Sequence, residues 1–515
     1  MDDTQLMRFP PGYKVIPIKT ALDWSAWNVH NDPVTERTSA PGTGGDAAQG
    51  FAKAVEMCNN NGHCRKFDAG TMCPSYRVTR DEKHLTRGRA NTLRLALSGQ
   101  LGKFGEPSPL PSPAGGRGSE SESLPFPRAG EVPALPPLPL RGEGWGEGAL
   151  EAVHEAMDLC VGCKGCKRDC PTGVDMAKMK VEFLHHYKAK HGYRFKDKLI
   201  AYLPDYAPWA SRFAPLLNLR DKVPGLAALS EKLLGLSSKR TLPQWKMQTF
   251  FNSAVISATR EEVLAASKPV VLFVDTFNGY FESDNATSAL KVLQAAGYTA
   301  HVATKTIADG KALCCGRTFL ASGMVDEAKA KARELVAALL PFAEKGIAIV
   351  GLEPSCLLTT RDEMLVMGLG EAAQTISRHA LLLEEFLAQE AAAGKLETLK
   401  AALKPTTQPI LLHGHCHQKA FGAVSPIIDV LKLIPGAKPE LIESSCCGMA
   451  GSFGYEAAHY DVSMQMAELS LLPAVRQQPD AIVVADGTSC RHQIRDGAQR
   501  EAIHVAVLLA RQLKI

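Results

Sequence analysis

Short apolar runs alternate with amphipathic helical stretches from residue 268 to residue 515. These runs predict strands at 270–274, 347–351, 410–412 and 481–484. A strand that is apolar at every position is typical of a parallel sheet covered on both faces, and strand–helix alternation indicates open α/β architecture. The pattern occurs twice, so we predict two related halves, residues 268–400 and 401–515.

Residues 51–192 are organised differently, because helical periodicity there flanks two runs of cysteines. The spacing of apolar residues predicts helices at 88–97, 149–159 and 176–186. Residues 106–148 consist mainly of Pro, Gly, Ser, Arg and Glu, a composition that cannot repay chain entropy by burial. We therefore predict one helical module that a disordered insertion at 106–148 splits in two.

Two further segments complete the predicted organisation. Residues 1–50 are rich in Pro, Gly, Asp and Thr and predict an extended arm. Residues 193–267 form a predicted helical connector, in which aromatic and aliphatic residues interleave with Lys and Arg. Such a segment can dock on a membrane surface, but its prolines interrupt the helical moment and favour short helices that pack on a neighbouring domain.

Composition excludes several classes of protein. The 515 residues are 45% hydrophobic and carry a formal net charge of +4, which describes a soluble globular protein. No dense block of Lys and Arg indicates a nucleic-acid partner. The polar start predicts no secretory signal, and charges interrupt every candidate membrane span. We expect a cytoplasmic protein, either free or peripheral at the inner face of the membrane.

Fourteen cysteines are clustered rather than scattered, which in a reducing compartment indicates metal. The run Cys160-x2-Cys163-x2-Cys166-x3-Cys170-Pro171 has the spacing of bacterial ferredoxins, in which three thiolates hold one 4Fe-4S cubane and the fourth reaches a neighbouring cluster. Zinc and a metal-free cysteine core are the less favoured alternatives.

The earlier run supplies only three cysteines, and it ends with a second Cys-Pro pair, Cys73-Pro74. In the reciprocal ferredoxin scheme Cys73 completes the cubane of Cys160, Cys163 and Cys166. The remaining thiols, Cys58, Cys64 and Cys170, leave one iron of a second cubane without a thiolate. Three outcomes stay open: a three-iron cluster, a non-cysteine ligand such as His63, or no second cluster.

Each α/β half carries cysteines after its strands, where open sheets form their sites. The second half offers four thiols, enough for a further iron–sulfur cluster or a zinc ion: Cys416, Cys446, Cys447 and Cys490. The first half offers three, because residues 275–278 lack a cysteine, and we expect that copy to be empty or structural: Cys314, Cys315 and Cys356.

Two smaller alternatives concern the second half. The histidines at 413, 415 and 417 could add imidazole ligands, but a polar strand end that hydrogen-bonds its own loop is the favoured interpretation. Cys446 and Cys447 could also form a redox-active vicinal disulfide. The chain has no Walker loop, dinucleotide fingerprint or nucleophile elbow, so we predict no FAD site in it.

These motifs resemble a known family. The repeats with Cys-Cys-Gly (CCG) resemble those in iron–sulfur components of three enzymes: heterodisulfide reductase, glycolate oxidase and anaerobic glycerol-3-phosphate dehydrogenase. Residues 57–62, 70–77, 86–91 and 352–356 are similar to the C-terminal half of fused FAD-linked oxidases that act on D-2-hydroxyacids. The fold expected is α/β plus α-helical, with a split two-cluster ferredoxin-like helical module at 51–192 followed by tandem open α/β cysteine-rich repeats.

The resemblance implies an electron-transfer component that depends on a separate FAD-binding oxidase subunit. Its substrate class is a 2-hydroxyacid of the D-lactate, D-2-hydroxyglutarate or glycolate type, and its acceptor is a quinone or a cytochrome. Two alternatives come from other classes of protein. One is a heterodisulfide-reductase-like thiol–disulfide catalyst at the second CCG repeat, and the other is a non-catalytic, zinc-stabilised subunit or remnant.

Overall fold

A computed structural model describes residues 15–16, 18–28, 49–68, 70, 72–101, 147–253, 257–304 and 312–514. The predicted insertion at 106–148 lies almost wholly outside the described residues, and so does most of the predicted arm at 1–50. No helix in the described ranges is long and apolar enough to cross a membrane.

The cysteine-bearing N-terminal region is helical. Its helices are α1 (Gly50–Glu56), α2 (Pro74–Thr79), α3 (Thr86–Leu97), α4 (Glu147–Asp158), α5 (Gly165–Asp169) and α6 (Met176–His191). The predictions at 88–97, 149–159 and 176–186 correspond to α3, α4 and α6. Asp175 is the N-cap of helix α6, and its carboxylate accepts a hydrogen bond from the Lys178 amide at 3.1 Å. Helices α3 and α4 pack together although residues 102–146 lie between them.

The connector consists of short helices, as the proline spacing predicted. These are α7 (Phe195–Ala201), α8 (Leu203–Arg212), α9 (Ala214–Leu217), α10 (Leu226–Leu234) and α11 (Arg260–Ala265). Single 3-10 turns occur here and elsewhere, at Ser25–Trp27, His63–Arg65, Glu82–His84, Asn218–Asp221, Phe250–Asn252, Glu363–Val366, Phe453–Tyr455 and Ala457–His459.

The first α/β half contains a parallel sheet in the order β2-β1-β3-β4. Its strands are β1 (Pro269–Phe273), β2 (Thr299–Ala303), β3 (Ala348–Gly351) and β4 (Ala380–Leu382). Its helices are α12 (Thr276–Tyr280), α13 (Ser283–Ala295), α14 (Arg317–Ala321), α15 (Val325–Ala343), α16 (Pro354–Thr360), α17 (Gly370–His379), α18 (Leu383–Ala392) and α19 (Glu397–Ala402).

The second half repeats this topology, with a parallel sheet in the order β6-β5-β7-β8. Its strands are β5 (Ile410–Leu412), β6 (Pro439–Leu441), β7 (Ile482–Val484) and β8 (Ala502–Ile503). Its helices are α20 (Cys416–Ala420), α21 (Ser425–Leu431), α22 (Tyr460–Glu468), α23 (Leu471–Gln477), α24 (Thr488–Ala498) and α25 (Val505–Gln512). The prediction of two parallel α/β halves is confirmed.

The two halves pack through equivalent helices. Helix α13 of the first half packs against α25 of the second, and α21 of the second packs against α18 of the first. Helices α13 and α21 each follow the first strand of their own half, and α18 and α25 each follow the last strand of theirs. The two contacts are therefore equivalent, as in a pseudo-two-fold arrangement. One apolar core therefore includes Val270, Leu290, Ile410 and Leu508 from both halves, which fixes the two sheets relative to each other.

Residues 18–28 are docked on the helical module rather than extended away from it. Leu22 and Trp24 are buried in its core. The carboxylate of Glu182 on α6 accepts hydrogen bonds from the amides of Ala21 and Leu22, at 2.6 and 2.9 Å, and from the Trp24 indole at 2.9 Å. Because Glu182 is fully buried, these three N–H groups have exchanged water for one charged acceptor.

Glu182→Ala should therefore release this segment. Loss of a buried acceptor from three N–H donors is expected to lower the free energy of unfolding by about 3 kcal/mol. Trypsin should cut faster after the exposed Lys19, and the urea midpoint should fall. Glu397→Ala is the matched control, because that side chain is 70% exposed. Equal cleavage rates in the two variants would contradict the docking role of Glu182.

Candidate metal centres

The first group of thiols surrounds a single cavity. Cys73 lies directly before α2, whereas Cys160, Cys163 and Cys166 lie on α5 and the loop before it. All four line the same cavity, together with Pro74, Ser75, Thr86, Arg89, Val161, Gly162, Lys164, Met176 and Ala177. Four cysteines around one cavity match the ligand number of one cubane. The structure thus brings together the set that the sequence predicted for the first cluster.

Main-chain donors orient two of these sulfurs. The Thr86 amide donates to the Cys73 sulfur at 3.2 Å, and the Met176 amide donates to the Cys166 sulfur at 3.3 Å. Burial, and next the charge of Asp175, raises the pKa of Cys166 to about 12. In the metal-free chain this residue is therefore a thiol, and a metal would have to displace its proton.

The second predicted group is less complete. Cys58 and Cys64 are buried, Cys170 is half-buried, and all three lie in or against one core cluster. Cys64 pairs with Cys73, which donates a hydrogen bond that lowers the pKa of Cys64 to about 6. His63 begins the 3-10 turn that carries Cys64. A second cubane at this place stays a prediction.

The second α/β half forms a chain of four sulfurs. Cys446 lies in hydrogen-bond contact with both Cys416 and Cys447, and Cys447 also contacts Cys490. All four are buried. A hydrogen bond from Cys446 lowers the pKa of Cys416 to about 6, and thiolates are the form that binds metal. Each of the four predicted thiols therefore contacts the next, and a zinc ion or a cluster bound by all four stays a prediction.

Glycine closes the Cys446–Cys447 loop for a steric reason. Gly448 has φ +85°, and a Cβ there would lie 2.3 Å from the Ser463 carbonyl oxygen. Gly316, after Cys314 and Cys315, has φ +84° and a comparable clash with Ala328. Both loops thus need a residue without a side chain in a left-handed conformation.

The three histidines at the end of β5 have separate roles. His415 caps α20, accepting a hydrogen bond at Nδ1 from the His417 amide at 3.1 Å. His417 contacts the N-terminal helical region, where its Nε2 donates to the Gly162 carbonyl at 3.1 Å. His413 Nδ1 contacts Ser444 Oγ at 3.0 Å, which is the loop contact favoured from sequence. A ring nitrogen of His413 also lies within 4.8 Å of the Cys447 and Cys490 sulfurs.

The first half brings its three cysteines together without a fourth. Cys315 lies in hydrogen-bond contact with Cys314 and with Cys356. The position equivalent to Cys416 is Thr276, the first residue of α12. Asp275, the preceding residue, is the N-cap of α12, because its carboxylate accepts hydrogen bonds from the Phe277 and Asn278 amides at 2.9 and 3.2 Å.

The first thiol group and the second half meet directly. Cys163, Cys416 and Cys446 pack into one buried cluster, against which Val161 and Ala450 also pack. The hydrogen bond from His417 to Gly162 and a second bond, from Arg168 to the Lys419 carbonyl at 2.8 Å, hold the two sides together. The two candidate metal centres therefore share a buried wall of sulfur and small apolar side chains.

Family models divide the chain along the same lines. Residues 54–174 match the 4Fe-4S dicluster domain, and residues 280–361 and 413–495 match the cysteine-rich domain. The chain contains a 4Fe-4S dicluster domain followed by two cysteine-rich domains. The dicluster match and the converging cysteines support an iron–sulfur cluster in this chain.

Curated relatives are oxidoreductases or their components. D-2-hydroxyglutarate dehydrogenase of Escherichia coli (strain K12) is 27% identical over 85% of this chain and 42% of its own length. The chain thus spans about two fifths of that relative. One component of the anaerobic glycerol-3-phosphate dehydrogenase of the same organism is 26% identical over 58% of this chain and 73% of its own length. A probable glycolate oxidase iron–sulfur subunit of Bacillus subtilis (strain 168) is 24% identical over 70% of this chain and 83% of its length.

Sequence reasoning missed the buried ion network that joins the dicluster domain to the first cysteine-rich domain. Lys164, in the middle of the cysteine run, is 1% exposed and donates to Asp362 and to Glu363, at 2.6 Å for the latter. Lys167 and Lys178 also contact Asp362, at 2.7 and 3.0 Å. One feature of the sequence could have indicated this network. Lys164 lies between two closely spaced cysteines, Cys163 and Cys166, where a side chain is not expected to be exposed to solvent.

Charge pairing decides the ionisation of this network. Burial favours the neutral form of Asp362, but Lys164, Lys178 and Lys167 outweigh it and hold the pKa of Asp362 well below its usual range. Burial also disfavours the charged form of Lys164, and Glu363 and Asp362 outweigh it and raise the pKa of Lys164. Both partners are therefore charged at neutral pH.

Asp362→Asn should leave Lys164 buried with too little negative charge. We expect the free energy of unfolding to fall by about 3 kcal/mol at pH 7. Because the pKa of Asp362 is lowered in the folded chain, its contribution is complete above about pH 4 and is lost as the pH falls further. The difference between the urea midpoints of the two proteins should therefore shrink progressively as the pH falls below about 4.

Asp461→Asn is the control, since that carboxylate is 77% exposed and its ion pair with Lys239 spans 3.7 Å. Its effect should be small and almost independent of pH. A difference between Asp362→Asn and the unmutated chain that stays constant with pH would contradict the charge assignment.

Proposed function

We propose that the chain is the iron–sulfur electron-transfer component of an FAD-linked oxidoreductase. The observation that carries the proposal is the buried contact of Cys163 with Cys416 and Cys446. It joins the thiols of the dicluster domain directly to those of the second cysteine-rich domain, with no long side chain of the described residues between them. Electron transfer between two centres favours a short, buried separation, whereas separate structural zinc sites have no need of it.

The proposed donor is a flavin on a partner subunit. Oxidation of a 2-hydroxyacid to a 2-oxoacid releases two electrons and two protons, which a flavin can accept. An iron–sulfur cluster bound by the cysteines would supply one-electron transfer. The electrons would leave singly and reduce a quinone, with two protons, or a cytochrome.

The choice of partner and substrate class draws on the relatives. D-2-hydroxyglutarate dehydrogenase, of which this chain spans 42%, has more than half of its length outside the match. A separate FAD-binding oxidase subunit would provide that function here. D-2-hydroxyglutarate, D-lactate and glycolate are the proposed substrate types, and the cytoplasm is the proposed compartment.

Loss of one cubane ligand tests the relay. Cys73→Ser should remove or convert the cluster at Cys160, Cys163 and Cys166, because a serine hydroxyl replaces the fourth thiolate. Anaerobically purified protein should lose about four irons and four sulfides per chain, together with the matching EPR signal. Reduction of a quinone analogue by the complete flavoprotein complex should fall at least about tenfold.

Cys314→Ser is the matched control, because it removes a buried thiol from the first cysteine-rich domain and leaves the dicluster cysteines intact. Its cubane EPR signal should be unchanged. Colourless anaerobic preparations of the unmutated chain, or zinc without acid-labile sulfide, would reject the relay.

A lipid surface is the proposed docking site of this component, and helices α8 and α9 support it. Small residues, Ala207, Ala210 and Ala214, face the protein and are buried. The opposite face carries large apolar side chains that are exposed, with Trp209 at 63% and Leu216 at 63%. These helices direct alanine towards their own protein and tryptophan and leucine towards solvent. This is the reverse of the usual pattern of a surface helix and is typical of an interfacial helix.

Helix α10 and the local charge extend this surface. The helix has no buried residue, and its Leu229 and Leu233 are 50% and 71% exposed. Residues 195–247 contain nine Lys or Arg against four Asp or Glu, so the segment that carries the apolar face has a net positive charge. The Arg212 guanidinium lies 4.8 Å from the Trp209 ring centroid. Basic residues around an apolar face complement anionic lipid headgroups.

Trp209→Ser combined with Leu216→Ser should weaken binding to vesicles. Each large apolar side chain contributes about 2 kcal/mol when it leaves water, so the partition coefficient for phosphatidylglycerol-containing vesicles should fall by at least about tenfold. Sedimentation with vesicles measures the bound fraction. Higher salt should weaken binding of the unmutated protein because it screens the basic residues.

Leu441→Ser is the control, since Leu441 is 37% exposed on β6, in another part of the chain. It should bind as the unmutated protein does. Equal binding by the double variant, or equal binding to neutral and anionic vesicles, would reject this docking surface.

A further inference from the structure

His413 lies beside the thiols of the second cysteine-rich domain, and one of its ring nitrogens is already engaged in a hydrogen bond. The residue is fully buried. Its Nδ1 contacts Ser444 Oγ at 3.0 Å, and the same hydroxyl receives a hydrogen bond from the Lys419 ammonium at 3.0 Å. The hydroxyl donates its own proton to the Ile442 carbonyl at 3.4 Å. A Ser444 hydroxyl that donates to Ile442 accepts from His413, and this arrangement places the imidazole proton on Nδ1.

This network leaves Nε2 with a free lone pair. Nε2 is buried, and no described residue meets it with normal hydrogen-bond geometry. The Cys447 thiol is the nearest polar group that interacts with the ring besides Ser444. The ring lies within 4.8 Å of both the Cys447 and the Cys490 sulfur. A buried histidine with one nitrogen held by a hydrogen bond and two thiols beside its ring has the arrangement of a metal ligand.

The internal duplication gives an independent reason. The register of β1 with β3 and of β5 with β7, with Cys356 aligned to Cys490, makes His413 equivalent to Phe273 and Cys416 equivalent to Thr276. The first cysteine-rich domain thus lacks the histidine and the fourth cysteine together. A histidine needed only to hydrogen-bond its loop has no reason to vary with a thiol three residues away.

We propose that His413 is a metal ligand through Nε2, so that the second cysteine-rich domain holds its metal with imidazole as well as thiolate. The inference rests on the proposed metal centre in that domain. Cys447 and Cys490 are the thiolates nearest to it, and Cys446 and Cys416 continue the sulfur chain. Ser444 is a positioning residue, because it acts through His413.

The experiment uses the unmutated full chain, so that no substitution has to fold. Protein labelled with 15N-histidine is purified anaerobically and its metals are counted. If iron is present, pulsed EPR of the reduced protein should show the hyperfine coupling of a directly bound 15N nucleus. If zinc is present, X-ray absorption at the zinc edge should show the outer-shell scattering of one imidazole.

A variant then assigns the signal to one residue. His413→Ala should abolish the nitrogen coupling or the imidazole scattering, while the cubane EPR signal of the dicluster domain persists. His492→Gln is the matched control, because His492 is also buried in the second domain but pairs with Tyr455. It should keep the nitrogen signal.

Two results overturn the proposal, and they are distinguishable. Metal in the second domain without bound imidazole nitrogen rejects His413 as a ligand and leaves the relay intact. Iron or zinc confined to the dicluster domain rejects both the ligand and the proposed second centre.

Discussion

The loop from Cys160 to Cys166 is held between both cysteine-rich domains, and the geometry of the candidate centres depends on this clamp. On one side Lys164 enters the first domain and pairs with buried Asp362 and Glu363. On the other side the Gly162 carbonyl accepts a hydrogen bond from His417. A charged side chain as deeply buried as Lys164 is tolerated only in an arrangement that keeps it paired. The loop has therefore one position, and in that position Cys163 faces Cys416.

The two cysteine-rich domains share a topology but have diverged in use. The second retains four thiols and His413 at the ends of its strands. In the first, Phe273 and Thr276 occupy the equivalent positions of His413 and Cys416, and Asp275 serves as an N-cap. The same domain supplies Asp362 and Glu363 to the clamp, and its Glu353 accepts a hydrogen bond from the Thr488 amide at 2.9 Å, at the start of α24. The first domain thus supports the centre that the second domain builds.

Sequence predicted the parts of the fold that have a strong local pattern. The central strands β1, β3, β5 and β7 are continuous apolar runs, and the reciprocal ferredoxin scheme grouped Cys73 with Cys160, Cys163 and Cys166, which line one cavity with it. The edge strand β6 escaped prediction because Pro439–Leu441 is only three residues long and most of it is exposed. The docking of Leu22 and Trp24 escaped because Glu182, which holds them, lies 158 or more residues away in sequence. Contacts of that kind have no periodicity to reveal them.

Two cations near the sulfurs, the partly buried Lys180 and the buried Lys419, indicate how charge is balanced in these centres. Lys180 donates to the Cys160 carbonyl at 2.6 Å, and Lys419 donates to the Ser445 carbonyl at 3.2 Å, one residue before Cys446. Within the described ranges neither ammonium has a carboxylate at ion-pair distance, and burial lowers the pKa of both lysines. A cation that meets only neutral dipoles, here carbonyls and the Ser444 hydroxyl, is poorly compensated. Thiolates bound to metal would carry the missing negative charge. The lysines would then stabilise the thiolates, and the thiolates would stabilise the ammonium groups.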